Sequence, residues 1–257
     1  MATPQEYARA FRRLHRPGDP LVLFNVWDAG TAKAAAEAGA RAIATASWSV
    51  AAAHGYADGE KLPFELALAN LRRVVNAVDL PVSVDLEGGY GVEPEAVARS
   101  VRQAIGAGAI GLNLEDGVIG GEGLHPLEAQ VARLRAARMA ADGVTPGAFL
   151  NARTDVFLVS DESISAQAKV AEALRRADAF AGAGADGLFV PGVSEDGVIA
   201  QICEASPLPV NVFIKVDPAR LAALASLGVA RISHGPNPYR LALEAFRRAA
   251  QETFEAS

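Results

Sequence analysis

Apolar runs and helix-forming stretches alternate along the whole chain, and that alternation predicts its architecture. Leu21 to Val26 is a first apolar run, followed by Asp28 and alanine-rich helical sequence to Gly39. The pattern then recurs. Strand-like runs fall at Arg41 to Ala46, Pro81 to Asp85, Ala109 to Leu114, Gly147 to Ala152, Asp186 to Val190, Pro209 to Ile214 and Val229 to Ser233. Helical sequence lies between them at Pro63 to Val78, Pro94 to Ile105, Pro126 to Ala141, Ser163 to Ala181 and Ser194 to Ala205. Asp217-Pro218 and Asn237-Pro238 open two more helices, with proline where the missing N–H does no harm. Pro4 to Leu14 predicts a short amphipathic helix ahead of the main fold. Runs without polar alternation are buried on both faces, as in a parallel sheet.

A degenerate repeat supports this reading. The segments at 37–43, 106–112, 182–188 and 226–232 each end a helix in glycine and feed directly into a strand. Eight strand–helix units in 257 residues match the size of a (β/α)₈ TIM-type barrel, in one domain over 1–257. An open doubly wound sheet is the competing architecture, but no Gly-x-Gly-x-x-Gly follows the first strand.

Composition narrows the function. Net charge is −6 with no basic cluster, so a nucleic-acid partner is not expected. The single cysteine, Cys203, excludes an internal disulfide and a cysteine-based zinc site. It falls in a helical pattern and reads as core. No run reaches membrane-spanning length and the N-terminus lacks a signal-peptide core, so a cytoplasmic protein is expected.

Chemistry in such a barrel gathers at the C-terminal strand ends. Those ends carry Asn25 and Asp28; Thr45, Ser47, Trp48 and Ser49; Asp85 and Glu87; Asn113, Glu115 and Asp116; Asn151, Arg153 and Asp155; Asn211 and Lys215; and Ser233 and His234. Helix capping accounts for Asp28 and Asp155. It does not account for Asp85, Glu87, Glu115 and Arg153 together. Acids on one rim suit a hard divalent cation, and an arginine fork suits a bound carboxylate or phosphate. Asp85 and Glu87 read equally well, taken alone, as loop caps or ion-pair partners.

Phe24 to Asp28, Asp85-Leu86-Glu87-Gly88-Gly89-Tyr90-Gly91, Asn113 to Gly117 and Asn151 to Asp155 resemble the isocitrate lyase / phosphoenolpyruvate mutase superfamily, in order and over nearly the whole chain. The resemblance implies a Mg²⁺-dependent barrel (Mn²⁺ as an alternative) that makes or breaks C–C or P–C bonds in small 2-oxo or 2-hydroxy acids. It implies a homo-oligomer, dimer or tetramer, with the eighth helix exchanged between neighbours. By the same resemblance Asp85 holds the metal directly, while Asp58, Glu87 and Glu115 hold its water. Thr45, Ala46 and Ser47 would meet a substrate carboxylate, Arg153 the anionic group, and Asn211 would lie opposite.

The chain also departs from that family. Lyase members carry Lys-Lys-Cys-Gly-His after the fourth strand, whereas this chain reads Asp116-Gly-Val-Ile-Gly-Gly-Glu122-Gly-Leu-His125. The mutase lysine is replaced by Gly117, and the lyase glutamate after the sixth strand by Val190-Pro191. The usual acid is therefore missing. A metal-chelated 2-oxo acid needs less help, because the cation stabilises an enolate as it forms. The expected activity is decarboxylase-like C–C cleavage of an oxaloacetate-like acid. The alternatives are an isocitrate/2-methylisocitrate-type lyase, a phosphonopyruvate/phosphoenolpyruvate enzyme, or a non-catalytic binder of 2-oxoglutarate-like acids. Arg153, Glu115 and Glu122 are the candidate catalytic residues. The glycines around Glu122 read as a closing lid or a plain connection. Trp48 is a pocket wall or core, and His234 a substrate contact or a structural histidine. His15 and His54 read as surface or loop residues.

Overall fold

The computed structural model describes residues 2–159 and 163–256. Eight parallel strands run β1 Leu21–Leu23, β2 Ile43–Ala44, β3 Val82–Asp85, β4 Gly111–Glu115, β5 Phe149–Arg153, β6 Gly187–Val190, β7 Val210–Phe213 and β8 Arg231–Ser233. They pair in the order β1-β8-β7-β6-β5-β4-β3-β2. A parallel bridge between Val26 and Thr45 joins the two ends and closes the barrel. The glycines of the sequence repeat, Gly39, Gly108, Gly184 and Gly228, all take positive φ. That left-handed turn carries each helix end into the next strand, which is why the repeat was visible.

The helices are α1 Pro4–Arg13, α2 Ala29–Glu37, α3 Ser47–Ala53, α4 Phe64–Ala77, α5 Pro94–Gly106, α6 Leu127–Asp142, α7 Val156–Val159, α8 Ala166–Gly182, α9 Asp196–Ala205, α10 Pro218–Ser226 and α11 Asn237–Glu255. Short α3 and α7 were not expected from the pattern; both lie in βα connections. Asp28 caps α2, its Oδ1 accepting from Thr31 N at 2.7 Å. Asp155 does not cap in this way: its carboxylate is turned to Arg153.

The α1 helix closes the bottom of the barrel. Phe11 enters between the strand bases, where a side chain on Gly111 would meet its ring at 2.8 Å. His15 is not a surface residue. It is 8% exposed and stacks on Phe149 with ring centroids 4.0 Å apart. Above this apolar plug the strands turn polar side chains inward. Arg231 is fully buried and its Nη2 donates to Asn113 Oδ1 at 3.2 Å. Asn151 Nδ2 donates to Asn113 and Asn211. The apolar faces of the strands point outward to the helices, so the strands alternate with the polar side inside. Among the described residues no helix is long and apolar enough to cross a membrane.

Candidate active site

A cavity of about 290 Å³ opens at the C-terminal strand ends. Thr45, Ala46, Ser47, Trp48, Asp58, Asp85 and Arg153 all line it. Asn211 and His234 do not. Asn211 is 1% exposed, and its amide is used within the barrel by Asn151, Ser233 and the Arg231 carbonyl. His234 turns away, its Nδ1 3.2 Å from the Ile214 carbonyl and its ring against Phe24. Its contacts match those of a structural histidine, and Trp48 lines the cavity.

Asp85 stands at the end of β3. Its Oδ2 accepts from Ser47 N at 3.3 Å and Ser47 Oγ at 3.0 Å. Both Ser47 donors thus orient Asp85. Asn113 Nδ2 lies 3.5 Å from Asp85 Oδ1. The Asn113 amide cannot face the other way, because its oxygen already receives Asn151 and Arg231. Beside Asp85, Glu87 Oε2 accepts the Glu60 backbone amide at 2.7 Å. Glu60 Oε1 in turn accepts the Tyr90 amide at 2.7 Å. Burial and the Asp85 charge push the Glu87 carboxyl up to about 7. The same two causes raise Asp58, which stands at the rim. A hollow of about 20 Å³ lies between Asp85, Glu87, Thr45 and Ser47, large enough for one water.

Arg153 bridges two acids. It pairs with Glu115 at 2.7 Å and with Asp155 at 2.6 Å. Burial disfavours its charge, but the two carboxylates more than offset this and raise its pKa. Burial raises Glu115, and Arg153 opposes that rise. Asp116, completely buried, serves the scaffold instead, pairing with Arg176 at 3.0 Å and accepting the Asp155 amide.

The connection after β4 is a small hairpin, bridged between Gly117 and Leu124. Glu122 sits exposed on it and is not among the residues lining the cavity. The hairpin meets the site through Ile119, which covers Gly88: a side-chain carbon there would lie 2.8 Å from Ile119 Cγ1.

These residues fit a hard cation. Among the described residues no three histidine, cysteine or acidic side chains form a cluster able to hold a metal by themselves. Mg²⁺ does not need one: it is commonly held by one or two carboxylates plus water. Among the described residues the Asp85 carboxylate accepts from Ser47 and Asn113 and makes no ion pair. The buried acids beside it leave an excess of negative charge that a divalent ion would neutralise.

Several lining residues escaped the sequence reading: Leu158, Phe189 and Phe213, which with Pro191 form an apolar wall, and Arg240, which projects from α11. Alternation along β6 and β7 places Phe189 and Phe213 inward, a signal that apolar residues in a buried strand hide. Glu60, which supports Glu87, sits in a loop with no periodicity.

Fold and rim together define a (β/α)₈ enzyme scaffold with an acid- and arginine-bearing site at the strand C-termini. The phosphoenolpyruvate phosphomutase family model matches residues 11–254, and the chain belongs to the isocitrate lyase / phosphoenolpyruvate mutase superfamily of enzymes. A Burkholderia cenocepacia J2315 crystal structure, provisionally assigned as a phosphonomutase, superposes with TM-score 0.94 at 49% identity, covering 98% of this chain and 100% of the other. The 2-methylisocitrate lyase of Escherichia coli is 33% identical over 79% of this chain and 68% of its own length. The oxaloacetate decarboxylase of Pseudomonas savastanoi is 28% identical over 95% of this chain and 83% of its own.

Proposed function

We propose that this enzyme is a Mg²⁺-dependent carbon–carbon lyase, decarboxylase-like, acting on a small 2-oxo or 2-hydroxy dicarboxylate such as an oxaloacetate-like acid. One observation carries the reading: Asp85, with no basic partner, and Arg153, held by two acids, line the same cavity of about 290 Å³. Asp85 would hold the cation, with Asp58, Glu87 and Glu115 holding its water; Mn²⁺ would serve equally. Bound there, the cation supplies Lewis-acid polarisation of the substrate oxygen next to the breaking bond. Arg153 binds and orients the substrate's anionic group, its fork fixed by Glu115 and Asp155. Phe189, Phe213 and Pro191 keep water from that side. Because the connection after β4 carries neither cysteine nor lysine, solvent protonates the product. That favours cleavage of a β-oxo acid over a tricarboxylate lyase reaction.

The test is turnover with purified protein and Mg²⁺. Oxaloacetate, 2-methylisocitrate and phosphonopyruvate are compared by pyruvate release, with isocitrate followed by glyoxylate. Cation-dependent turnover of oxaloacetate, lost in Asp85→Asn, is the expected result. Inactivity on 2-oxo diacids alongside robust action on isocitrate-type or phosphonate substrates would overturn it.

We also propose that α11 packs on a neighbouring copy in a dimer or tetramer. Pro238 is its one buried residue, while Leu241, Leu243, Phe246 and Phe254 are 52%, 43%, 74% and 74% exposed. An apolar hollow of about 440 Å³ beside Val22, Phe24, Ala35 and Ala38 lies open on the barrel. Light scattering on the wild type and Phe246→Glu tests this. A monomeric wild type rejects it.

A further inference from the structure

We propose that Arg231, buried beneath the cavity, is the resident counter-charge of the cation site: acting across the Asn113 amide, it offsets the Asp85 charge when no cation is bound and opposes the cation that binds there. The inference rests on the reading of Asp85 as the residue that holds the cation.

A buried arginine ordinarily ends on an acid, as Arg153 and Arg176 do here. Arg231 does not. It stands on β8 in register with Leu21 of β1 and Asn211 of β7, and its guanidinium carbon lies 5.9 Å from the Phe11 ring centroid. Among the described residues it makes no ion pair, and its Nε and Nη1 have no hydrogen-bond partner. A cation held this way is costly unless a negative charge compensates it. Its hydrogen bond to Asn113 Oδ1, at 3.2 Å, shows where that charge is. On the other side of the same amide, Asn113 Nδ2 lies 3.5 Å from Asp85 Oδ1.

Arg231 and Asp85 are thus opposite charges, neither in an ion pair, separated by one amide group. Burial lowers the Arg231 pKa to about 9, and Asp85 is the acid that opposes this. Little water lies between them to screen the attraction. Asn151 Nδ2 donates to the same Asn113 oxygen at 2.9 Å, so the amide keeps its orientation without Arg231. What Arg231 adds is charge rather than geometry. A divalent ion arriving at Asp85 meets a positive charge already beneath it. The acids therefore hold the ion less tightly than they would alone, and the empty site remains partly neutralised.

Titration calorimetry with Mg²⁺, on protein freed of metal with EDTA and dialysed, tests this. Arg231→Met removes the charge and leaves an unbranched side chain that adapts to apolar surroundings. It should bind Mg²⁺ about tenfold or more tightly than the wild type, as expected when a like charge leaves a desolvated site. A residue that only supports the scaffold would leave that affinity unchanged or weaken it, and either result overturns the proposal. Melting of the metal-free proteins is the second measurement. Asp85→Asn should melt below the wild type, because it strands the Arg231 charge, and adding Arg231→Met should recover part of the loss. An Asp85→Asn protein that melts at or above the wild type, or that Arg231→Met destabilises further, overturns the proposal even where Arg231→Met alone is too unstable to titrate. A wild type that binds no Mg²⁺ overturns the reading of Asp85, and this inference with it.

Discussion

The Glu60 backbone amide donates to Glu87 at 2.7 Å, and both residues hold left-handed backbone, at φ 58° and 51°. Side chains other than glycine rarely adopt it, and each such residue costs on the order of 1 kcal/mol. Tyr90, at φ 55°, completes the same corner through its amide bond to Glu60. Strain is thus concentrated where the proposed cation water is held. Glu87→Gln keeps an oxygen for the Glu60 amide but removes the charge. It should fold normally and lose at least tenfold in Mg²⁺ affinity. Glu87→Ala should lose the affinity and also about 1–3 kcal/mol of stability, by orphaning a buried amide. Melting curves with and without Mg²⁺ separate the two effects.

A second prediction concerns the contact between Gly88 and Ile119. Alanine at 88 would bring its Cβ to 2.8 Å from Ile119 Cγ1 and 3.1 Å from Glu60 Oε1. Ile119 belongs to the hairpin after β4, so Gly88→Ala should lift that hairpin and reduce turnover more than stability. Limited proteolysis should then cut near residues 118–123 faster than in the wild type. Adding Ile119→Ala should restore slow cleavage. Equal cleavage in all three proteins would show that this contact does not hold the hairpin.

The barrel and most of its rim were legible because each buried run ends abruptly in polar residues at a helix-opening turn. Asp85, Glu115 and Arg153 are found on this signal alone. Height within the barrel was not legible. Asn211 interrupts an apolar run near its start rather than ending it as Arg153 does, and it lies beneath the cavity. Strands in a closed barrel are tilted and staggered, so paired residues stand at different levels. Glu60 and Arg240 were invisible for another reason: only tertiary packing brings a loop after α3 to the end of β3 and the last helix to Trp48. His15 misled because Leu14-His15-Arg16-Pro17 reads as a polar turn, whereas α1 folds it under the barrel.

Arg153 supports stability as well as binding. Glu115 and Asp155 are 7% and 5% exposed, so Arg153→Met would strand two buried acids. Breaking a buried pair in this way costs roughly 3–5 kcal/mol. Arg153→Lys keeps the charge but cannot span both acids as a planar fork. It should recover part of the stability and little of the turnover. Urea unfolding checks the first, and pyruvate release the second. A stable Arg153→Met protein would show that pairing with Glu115 and Asp155 does not carry this stability.

Acid sensitivity should trace partly to His15, at the opposite end of the barrel from the site. Burial, reinforced by Arg231, lowers its pKa to about 3, and its Nε2 has no hydrogen-bond partner among the described residues. The folded protein therefore keeps the ring neutral. In the unfolded chain the ring takes up a proton below about pH 6.5. Between those values the unfolded state binds more protons, so stability falls as pH falls. The loss is about 2–3 kcal/mol between pH 6.5 and 4.5 from this residue. Glu87 and Asp116, whose folded pKa values are raised to about 7 and 6, act in the opposite sense over part of this range. Only a difference between variants isolates the histidine. His15→Phe preserves the stack on Phe149 and cannot titrate. Its stability relative to the wild type should rise steadily as the pH is lowered from 6.5, measured by urea unfolding in the presence of EDTA. A constant difference across that range would mean that His15 is already protonated in the folded protein.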